Sequence, residues 1–343
     1  MSQDSARVER AALETEREPN PVLAVLRTSV GRNAGLVVAL LLICIVGAVT
    51  AGERFSSTDN ALTILRLAAT IGVVSIGMTF VIIGGGIDLS VGAIVALSSV
   101  WCTTVATQTM AENTHWIVMV GVALLVGAGC GLVNGLLIAY GNIVPFIMTL
   151  AMLASARGLA EIISDKKTQI VGSGVSGFKE FFNRDFLGVD VQIWLFALVA
   201  VVGWILLNRT TFGRRTVAVG GNPEAARLAG INVKRHTVYL YVLIGICCGI
   251  AALILVAKTT TGSSTHGTLY ELDAIAAVVI GGTLLTGGRG TIVGTVLGVL
   301  IFSTLTNIFI LNNRSFSEQS LFKGAIIVAA VLLQQRLASR SST

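Results

Sequence analysis

The stretch that organises the chain is Arg209–Arg235, RTTFGRRTVAVGGNPEAARLAGINVKR, a basic and polar island between two long apolar segments. Its centre predicts a short helix over Pro223–Ala229. Asn222 fits the N-cap, because its side chain can accept from first-turn amides, and proline fits the first helical position. Gly230 stands where a left-handed residue closes a helix. Since two turns alone are marginal in water, this helix either packs on its own protein or docks on a partner.

The composition is that of a membrane protein. The 343 residues are 54% hydrophobic and 12% charged, and the mean hydropathy is +0.83. Apolar runs of about 20 residues predict membrane spans, and we count ten, of which the eighth is short. The predicted fold is therefore an all-α integral membrane bundle. The spans are Ala34–Ala51, Ala61–Ile83, Asp88–Thr107, His115–Tyr140, Ile143–Ile163, Val191–Leu207, His236–Ala257, Leu272–Thr286, Thr291–Leu311 and Ser320–Gln334.

Ten spans divide the chain into three parts and place both termini on one side of the membrane. We predict a polar N-terminal tail (1–33), a transmembrane domain (34–335) that contains the loop 209–235, and a C-terminal tail (336–343). If the termini are cytoplasmic, that side carries fourteen Lys and Arg residues and the opposite side eight. The positive-inside rule therefore places both tails and the loop 209–235 in the cytoplasm.

Glycine marks both helix packing and breaks in the helical pattern. Gly127, Gly131 and Gly135 recur every fourth residue in the fourth span, and so do Gly245 and Gly249 in the seventh and Gly290, Gly294 and Gly298 at the ninth. This spacing lets helices approach closely in lipid. The runs 84–92 and 281–290 interrupt spans in the two halves of the chain. They are interpreted either as tight cytoplasmic turns or as gates of a transport pathway.

Polar residues inside or beside spans are the candidates for that pathway or gate, since charge within a membrane is costly and usually faces the bundle interior. Most such side chains simply bond across helices, so each one also has a purely structural interpretation. The candidates are Asp88, Ser90, Asn134, Thr149, Arg157, Glu271, Asp273 and Asn307.

No constellation for catalysis, metal binding or nucleic-acid binding stands out. Glu271 and Asp273 are two residues apart, which does not place them on one helix face. The five cysteines lack metal-site spacing and are interpreted as small buried residues. The run 172–177 matches GxGxxG but follows no strand, and Phe178 stands where a P-loop lysine would be. We therefore predict no catalytic residue, no bound cofactor or metal, and no ATP hydrolysis by this chain.

Four blocks resemble one family, the membrane permease subunit of ABC importers for ribose, galactose and xylose. The blocks are Gly84–Gly92 (GGGIDLSVG), Asn134–Gly158 with Thr149-Leu150 and Arg157-Gly158, Gly213–Ile231 (GRRTVAVGGNPEAARLAGI) and Tyr270–Gly298 (YELDAIAAVVIGGTLLTGGRGTIVGTVLG). Ala151 departs from the pattern, since the family often has Gly after Thr-Leu, and the charged tail is longer than expected.

The resemblance implies a type II-like permease in a bacterial inner membrane, working with three kinds of partner. These are cytoplasmic ATPase subunits that bind ATP and Mg, a second permease copy in a homodimer or a heterodimer with a paralogue, and an extracytoplasmic sugar-binding protein. Membrane lipid surrounds the bundle. The short helix resembles the element that docks in a groove of the ATPase. Its coupling residues are Asn222, Pro223, Glu224, Ala225, Ala226, Arg227, Leu228 and Gly230.

Three other functions stay open at this point. A related ABC permease for branched-chain amino acids or nucleosides differs mainly in its substrate cavity. An ion-coupled secondary transporter also has ten spans, but it needs buried acids, and the span interiors contain almost none. A membrane-embedded enzyme needs a catalytic constellation.

Overall fold

The computed structural model describes residues 29–339, which are predominantly helical. The helices are α1 (Ser29–Ala51), α2 (Glu53–Ser56), α3 (Thr58–Ile83), α4 (Val91–Cys102), α5 (Val105–Asn113), α6 (Ile117–Ala139), α7 (Pro145–Ser164), α8 (Ser176–Phe182), α9 (Val191–Arg209), α10 (Thr211–Gly221), α11 (Pro223–Leu228), α12 (Val233–Thr259), α13 (Tyr270–Ile280), α14 (Ile292–Leu311) and α15 (Phe316–Ser339). The strands are β1 (Gln169–Ile170), β2 (Asp185–Phe186), β3 (Val189–Asp190) and β4 (Thr261–Gly262), and a 3-10 turn covers Ser173–Val175.

Within the described residues, seven helices are long and apolar enough to cross a membrane, and α4 with α5 makes an eighth candidate that is bent by 54°. The predicted all-α polytopic bundle is therefore confirmed, while the count of ten spans stays a prediction. The predicted tail 1–33 ends inside α1, which already begins at Ser29. Residues 1–28 and 340–343 of the two predicted tails lie outside the described residues.

The long helices α3 and α12 form the centre of the bundle and pack against each other. Their inner faces meet α4 and α14 in one continuous apolar core, in which Phe80, Ile83 and Ile244 are almost completely buried. The peripheral helices α6, α7 and α9 expose most of their surface in the single chain. This division is expected of a membrane bundle, because the outward faces of peripheral helices contact lipid or partner chains.

Close packing between α6 and α12 follows the predicted glycine spacing. A Cβ added at Gly131 would overlap the carbonyl oxygen of Tyr241 and lie 2.9 Å from that residue's carbonyl carbon. Similar overlaps arise at Gly127 and Gly245, where the two backbones touch. Gly294 and the adjacent α13 make the same kind of contact on the other side of the core. These contacts agree with the predicted role of the glycines in helix packing, except at Gly290, which precedes α14 and contacts Thr283 and Ile83.

Two predicted spans are broken rather than continuous. The third span, predicted as Asp88–Thr107, begins as helix only at Val91 and bends between α4 and α5. The eighth, predicted as Leu272–Thr286, is helical only over Tyr270–Ile280, because the glycines that follow end it: Gly282 and Gly287 have φ values of +84° and +85°. Non-helical backbone at membrane depth requires cover by protein or a water-filled cavity.

Two short antiparallel ladders lie on the side opposite the loop 209–235. β1 pairs with β4, with Gln169 opposite Gly262, and β2 pairs with β3. An ion pair of 2.5 Å between Arg66 and Asp190 joins α3 to the β3 end of this region. These contacts tie the loop after α7 to the segment after α12.

Candidate functional sites

The helix α11 has both of its predicted ends. The Asn222 side chain accepts a hydrogen bond of 3.0 Å from the Ala225 amide, and proline occupies the first turn. At the other end the Gly230 amide donates to Arg227 and the Ile231 amide donates to Ala226, both at 3.0 Å. Gly230 has φ +82°, so the pair of bonds is a Schellman motif, which glycine favours. The helix ends at Leu228, one residue before the predicted boundary.

Only one side chain of α11 is buried. Ala226 packs inward, while α11 contacts α10 and α12. Leu228 is 81% exposed and projects an apolar side chain from a polar loop. Beside it, Glu224 and Arg227 form an exposed ion pair of 3.0 Å. An exposed surface pair contributes little to stability, so this face is free to contact another protein.

The helix that leads into α11 touches both interrupted spans through glycine. At the end of α10, a Cβ on Gly220 would overlap the Ile83 carbonyl oxygen and lie 2.8 Å from the amide nitrogen of Gly288. Gly288 itself donates a 2.8 Å hydrogen bond to that same Ile83 oxygen. We call this contact of Ile83, Gly220 and Gly288 the glycine junction. It connects the base of α11 to the loops 84–90 and 281–291.

Four of the eight predicted pathway residues meet beside the loop 84–90. Asp88 accepts from the amide (2.8 Å) and the hydroxyl (2.5 Å) of Ser90, and Asn134 donates to that hydroxyl at 3.0 Å. Thr149 hydrogen-bonds mainly to the Pro145 carbonyl at 2.9 Å and lies 3.5 Å from the Ile87 oxygen. All four candidates are completely buried. They form a polar cluster inside the bundle and do not line an open path in this conformation.

The polar cluster lacks a positive charge. Among the described residues, Asp88 Oδ2 and Asn134 Oδ1 have no hydrogen-bond partner, and no ion pair includes Asp88. Within the described residues, no ion pair therefore compensates a charge on the buried Asp88 carboxyl group.

Arg157 and Glu271 lie outside this cluster, next to the segment 261–269. The Arg157 guanidinium donates to the carbonyl oxygens of Ser264 and of His266, the latter at 2.9 Å. The Glu271 carboxylate lies beside Gly92 in the first turn of α4. Arg157 therefore holds the backbone of the segment 261–269 in place. Glu271 lies where the two half-length helices α4 and α13 begin.

Two further candidates make contacts between helices elsewhere. Asp273 on α13 pairs with Lys323 on α15 at 2.9 Å, and Asn307 on α14 donates to Asn60 on α3 at 2.8 Å. Both are structural ties in this conformation, which is the role that most polar residues in spans have.

Sequence reasoning missed the segment 261–269 as part of the site. The predicted spans His236–Ala257 and Leu272–Thr286 leave these residues in the connection between them, although the eighth span is short. It also missed Tyr241, whose hydroxyl donates to the Ile87 oxygen at 3.3 Å. The described residues contain no group of three His, Cys, Asp or Glu that could hold a metal, and the prediction of no bound metal or cofactor is untested.

The apolar bundle and its interrupted helices are those of a polytopic membrane protein, and α11 is an exposed short helix on it. Comparison with known proteins narrows this class. Residues 60–331 match the family model described as branched-chain amino acid transport system / permease component. The chain belongs to this family of ABC-transporter permeases. No solved structure matches the chain.

Relatives with curated names point to sugar. The chain is 41% identical to the ribose import permease protein RbsC of Bacillus subtilis over 307 residues, which cover 89% of this chain and 92% of the relative. It is 38% identical to RbsC of Escherichia coli K12 over 88% of this chain and 92% of that protein. It is 36% identical to the L-arabinose permease AraH of Azospirillum brasilense over 94% of each chain.

These findings confirm the predicted ABC importer permease for sugars and exclude the ion-coupled transporter and the membrane enzyme. The chain is a multi-pass membrane subunit, not itself an enzyme. A permease of this kind works with ATPase and solute-binding partners.

Proposed function

We propose that this chain forms the path for one monosaccharide, a ribose-like pentose or a hexose, and that α11 is the helix through which a separate ATPase drives it. ATP and Mg bind the ATPase, and a solute-binding protein delivers sugar at the opposite face. Two permease copies, identical or paralogous, complete the path. The membrane is a bacterial inner membrane, with both termini and the loop 209–235 in the cytoplasm.

The observation that carries this proposal is the exposed face of α11. Its backbone is held by the caps at Asn222 and Gly230, while the apolar Leu228 side chain is 81% exposed. A capped helix with one exposed apolar anchor and a small charged rim suits a groove on a second protein. Because the glycine junction connects the base of α11 to the loops 84–90 and 281–291, a displacement of α11 would move both loops.

The contacts of Arg157 favour sugar over amino acids. A carrier of amino acids must bind the substrate carboxylate, with a cation or with backbone amides. Arg157 is already bound to two backbone oxygens, of Ser264 and His266. Neutral sugars are bound through hydroxyl, amide and carboxylate groups, and the described part of the bundle contains all three.

The docking role is tested with Leu228→Asp in the complex of permease, ATPase and solute-binding protein. Burial of a leucine side chain contributes about 1.5–3 kcal/mol, so we expect ATPase affinity to fall roughly 10- to 100-fold. Leu187→Asp is the matched control, because Leu187 is 79% exposed in the turn between β2 and β3 on the other side of the protein. Equal ATPase binding by both variants would refute the docking role of α11.

Backbone strain gives a second, independent test. Gly230→Val forces a β-branched residue into φ +82° with open space around its Cβ, so the change acts through the helix end and not through a clash. Gly188→Val is the control, since Gly188 has φ +76° and open space as well. We expect only the Gly230 variant to lose sugar uptake into proteoliposomes while ATP hydrolysis continues. Normal coupling in that variant would count against the proposal.

A further inference from the structure

The segment Thr261–Leu269 runs down the side of α4 instead of crossing the outer surface. At its start, a Cβ on Gly262 would overlap the hydroxyl of Thr103, directly after the end of α4. Further along, Ser99 Oγ lies 3.3 Å from the Ser263 oxygen and 3.1 Å from Nδ1 of His266. At its end, Gly267 meets the backbone of Gly92 in the first turn of α4. We call these nine residues the descending segment.

The descending segment occupies half of the membrane's depth. Gly92 and Thr103 are eleven residues apart, which corresponds to roughly 16 Å at 1.5 Å per helical residue. The hydrocarbon core is about 30 Å thick. The eleven residues of α13 then cover the remaining distance toward the loop 281–291. The eighth span is therefore a non-helical outer half joined to a helical inner half.

The descending segment is fixed on one side and open on the other. Arg157 holds its Ser264 and His266 oxygens, and Gly267 is buried against α4. Thr265 and Thr268 are exposed in the single chain. Irregular, polar backbone at this depth is not stable against lipid tails, so its open side must face protein or water.

We propose that the descending segment lines the aqueous sugar path, with the hydroxyls of Thr265 and Thr268 facing the sugar. This inference rests on the proposed sugar transport through two permease copies, because the second copy would close the open side. Hydroxyl groups donate and accept hydrogen bonds, as do the hydroxyls of a sugar. Individually weak contacts of this kind allow binding without preventing release.

The contrast with the polar cluster around Asp88 supports this choice. That cluster is completely buried, and its Ser90 hydroxyl already bonds to Asp88 and Asn134. In the descending segment the Thr268 hydroxyl donates to the Thr265 oxygen at 2.7 Å and keeps its acceptor sites. The exposed residues are thus the ones that a sugar can reach in this conformation.

Cysteine labelling tests the exposure directly. Thr265→Cys and Thr268→Cys are treated, in membranes with the assembled complex, with a charged, membrane-impermeant thiosulfonate from the outer side. Leu198→Cys is the control, because Leu198 is 58% exposed in the middle of the apolar helix α9. The unsubstituted chain gives the baseline of the five native cysteines.

We expect both threonine positions to react at least several-fold faster than Leu198→Cys, and D-ribose with the solute-binding protein to slow them. Reaction as slow as the control would overturn the proposal. Labelling needs no transport, so its result is separable from the function. If the complex takes up no ribose but the threonine positions react, the sugar assignment fails and the water-lined segment stands.

The role of the hydroxyl is tested with Thr268→Val, which keeps the side-chain shape, and Thr268→Ser, which keeps the hydroxyl. We expect uptake by the valine variant to fall by roughly two- to tenfold, the effect of about one hydrogen bond, and the serine variant to transport normally. ATPase binding should be unchanged in both. Normal uptake by the valine variant would remove Thr268 from the path.

Discussion

Gly220→Ala tests whether the glycine junction transmits movement from α11 to the interrupted spans. The added Cβ would overlap the Ile83 oxygen and lie 2.8 Å from the Gly288 nitrogen, so backbone must move apart. Overpacking of this kind costs about 1–3 kcal/mol. The 2.8 Å bond from Gly288 to the same Ile83 oxygen is lost as well, at about 0.5–1.5 kcal/mol. We expect a total destabilisation of roughly 2–4 kcal/mol.

The assay compares thermal unfolding of the purified permease with ATP-driven sugar uptake by the reconstituted complex. The midpoint should fall, and uptake should be lost while ATPase binding persists, because α11 keeps its own caps. Gly221→Ala is the control: its Cβ meets no atom within 4 Å, and alanine favours a helix over glycine by about 0.5–1 kcal/mol. If Gly220→Ala matches Gly221→Ala in both measurements, the junction is not a tight contact and the reasoning fails.

Two further predictions concern the bundle interior, and thermal unfolding measures both. Asp88→Asn should be at least as stable as the natural chain, because an amide can keep the Ser90 bonds and donate to Asn134. Asp88→Ala should lower the free energy of unfolding by about 1–3 kcal/mol. An equal loss of stability in both variants would show that Asp88 needs its charge. Gly131→Ala should lower the free energy of unfolding by about 1–3 kcal/mol at the contact with Tyr241. Gly129→Ala, which has open space around its Cβ, should be neutral. Equal unfolding midpoints of the two variants would contradict the close packing of α6 and α12.

Local features of this protein were predictable from sequence because their causes are local. The short helix α11 was predicted to within one residue, since the cap at Asn222 and the left-handed Gly230 act within a few positions of the chain. The glycine spacing in α6 identified a packing face for the same reason. The partner of that face, α12 at Tyr241 and Gly245, could not be read from spacing, because any helix with small residues at the same interval is an acceptable neighbour.

The pathway candidates show the limit of reasoning from polarity. Polar side chains are candidates because lipid excludes them. This criterion finds residues that face the interior of the bundle, but it does not show which groups they contact there. Asp88, Ser90 and Asn134 satisfy most of one another's hydrogen bonds, and Asp273 satisfies Lys323. Only tertiary structure separates a polar group that is already paired from one with open capacity.

The sequence around the eighth span does contain a signal for its broken structure. Its apolar run is short for a span, and a ten-residue run shortly before it, TTTGSSTHGT at positions 259–268, is rich in hydroxyl groups. Hydropathy assigns such residues to bulk water, which is valid only where the surroundings are lipid. Inside a transporter, the polar half of a span can instead contact the water within the transport path. A half-length apolar run joined to a small, hydroxyl-rich run therefore predicts one span whose outer half borders an aqueous path, and here the contacts of Gly262, Ser99 and Gly267 with their neighbours place that polar run alongside α4.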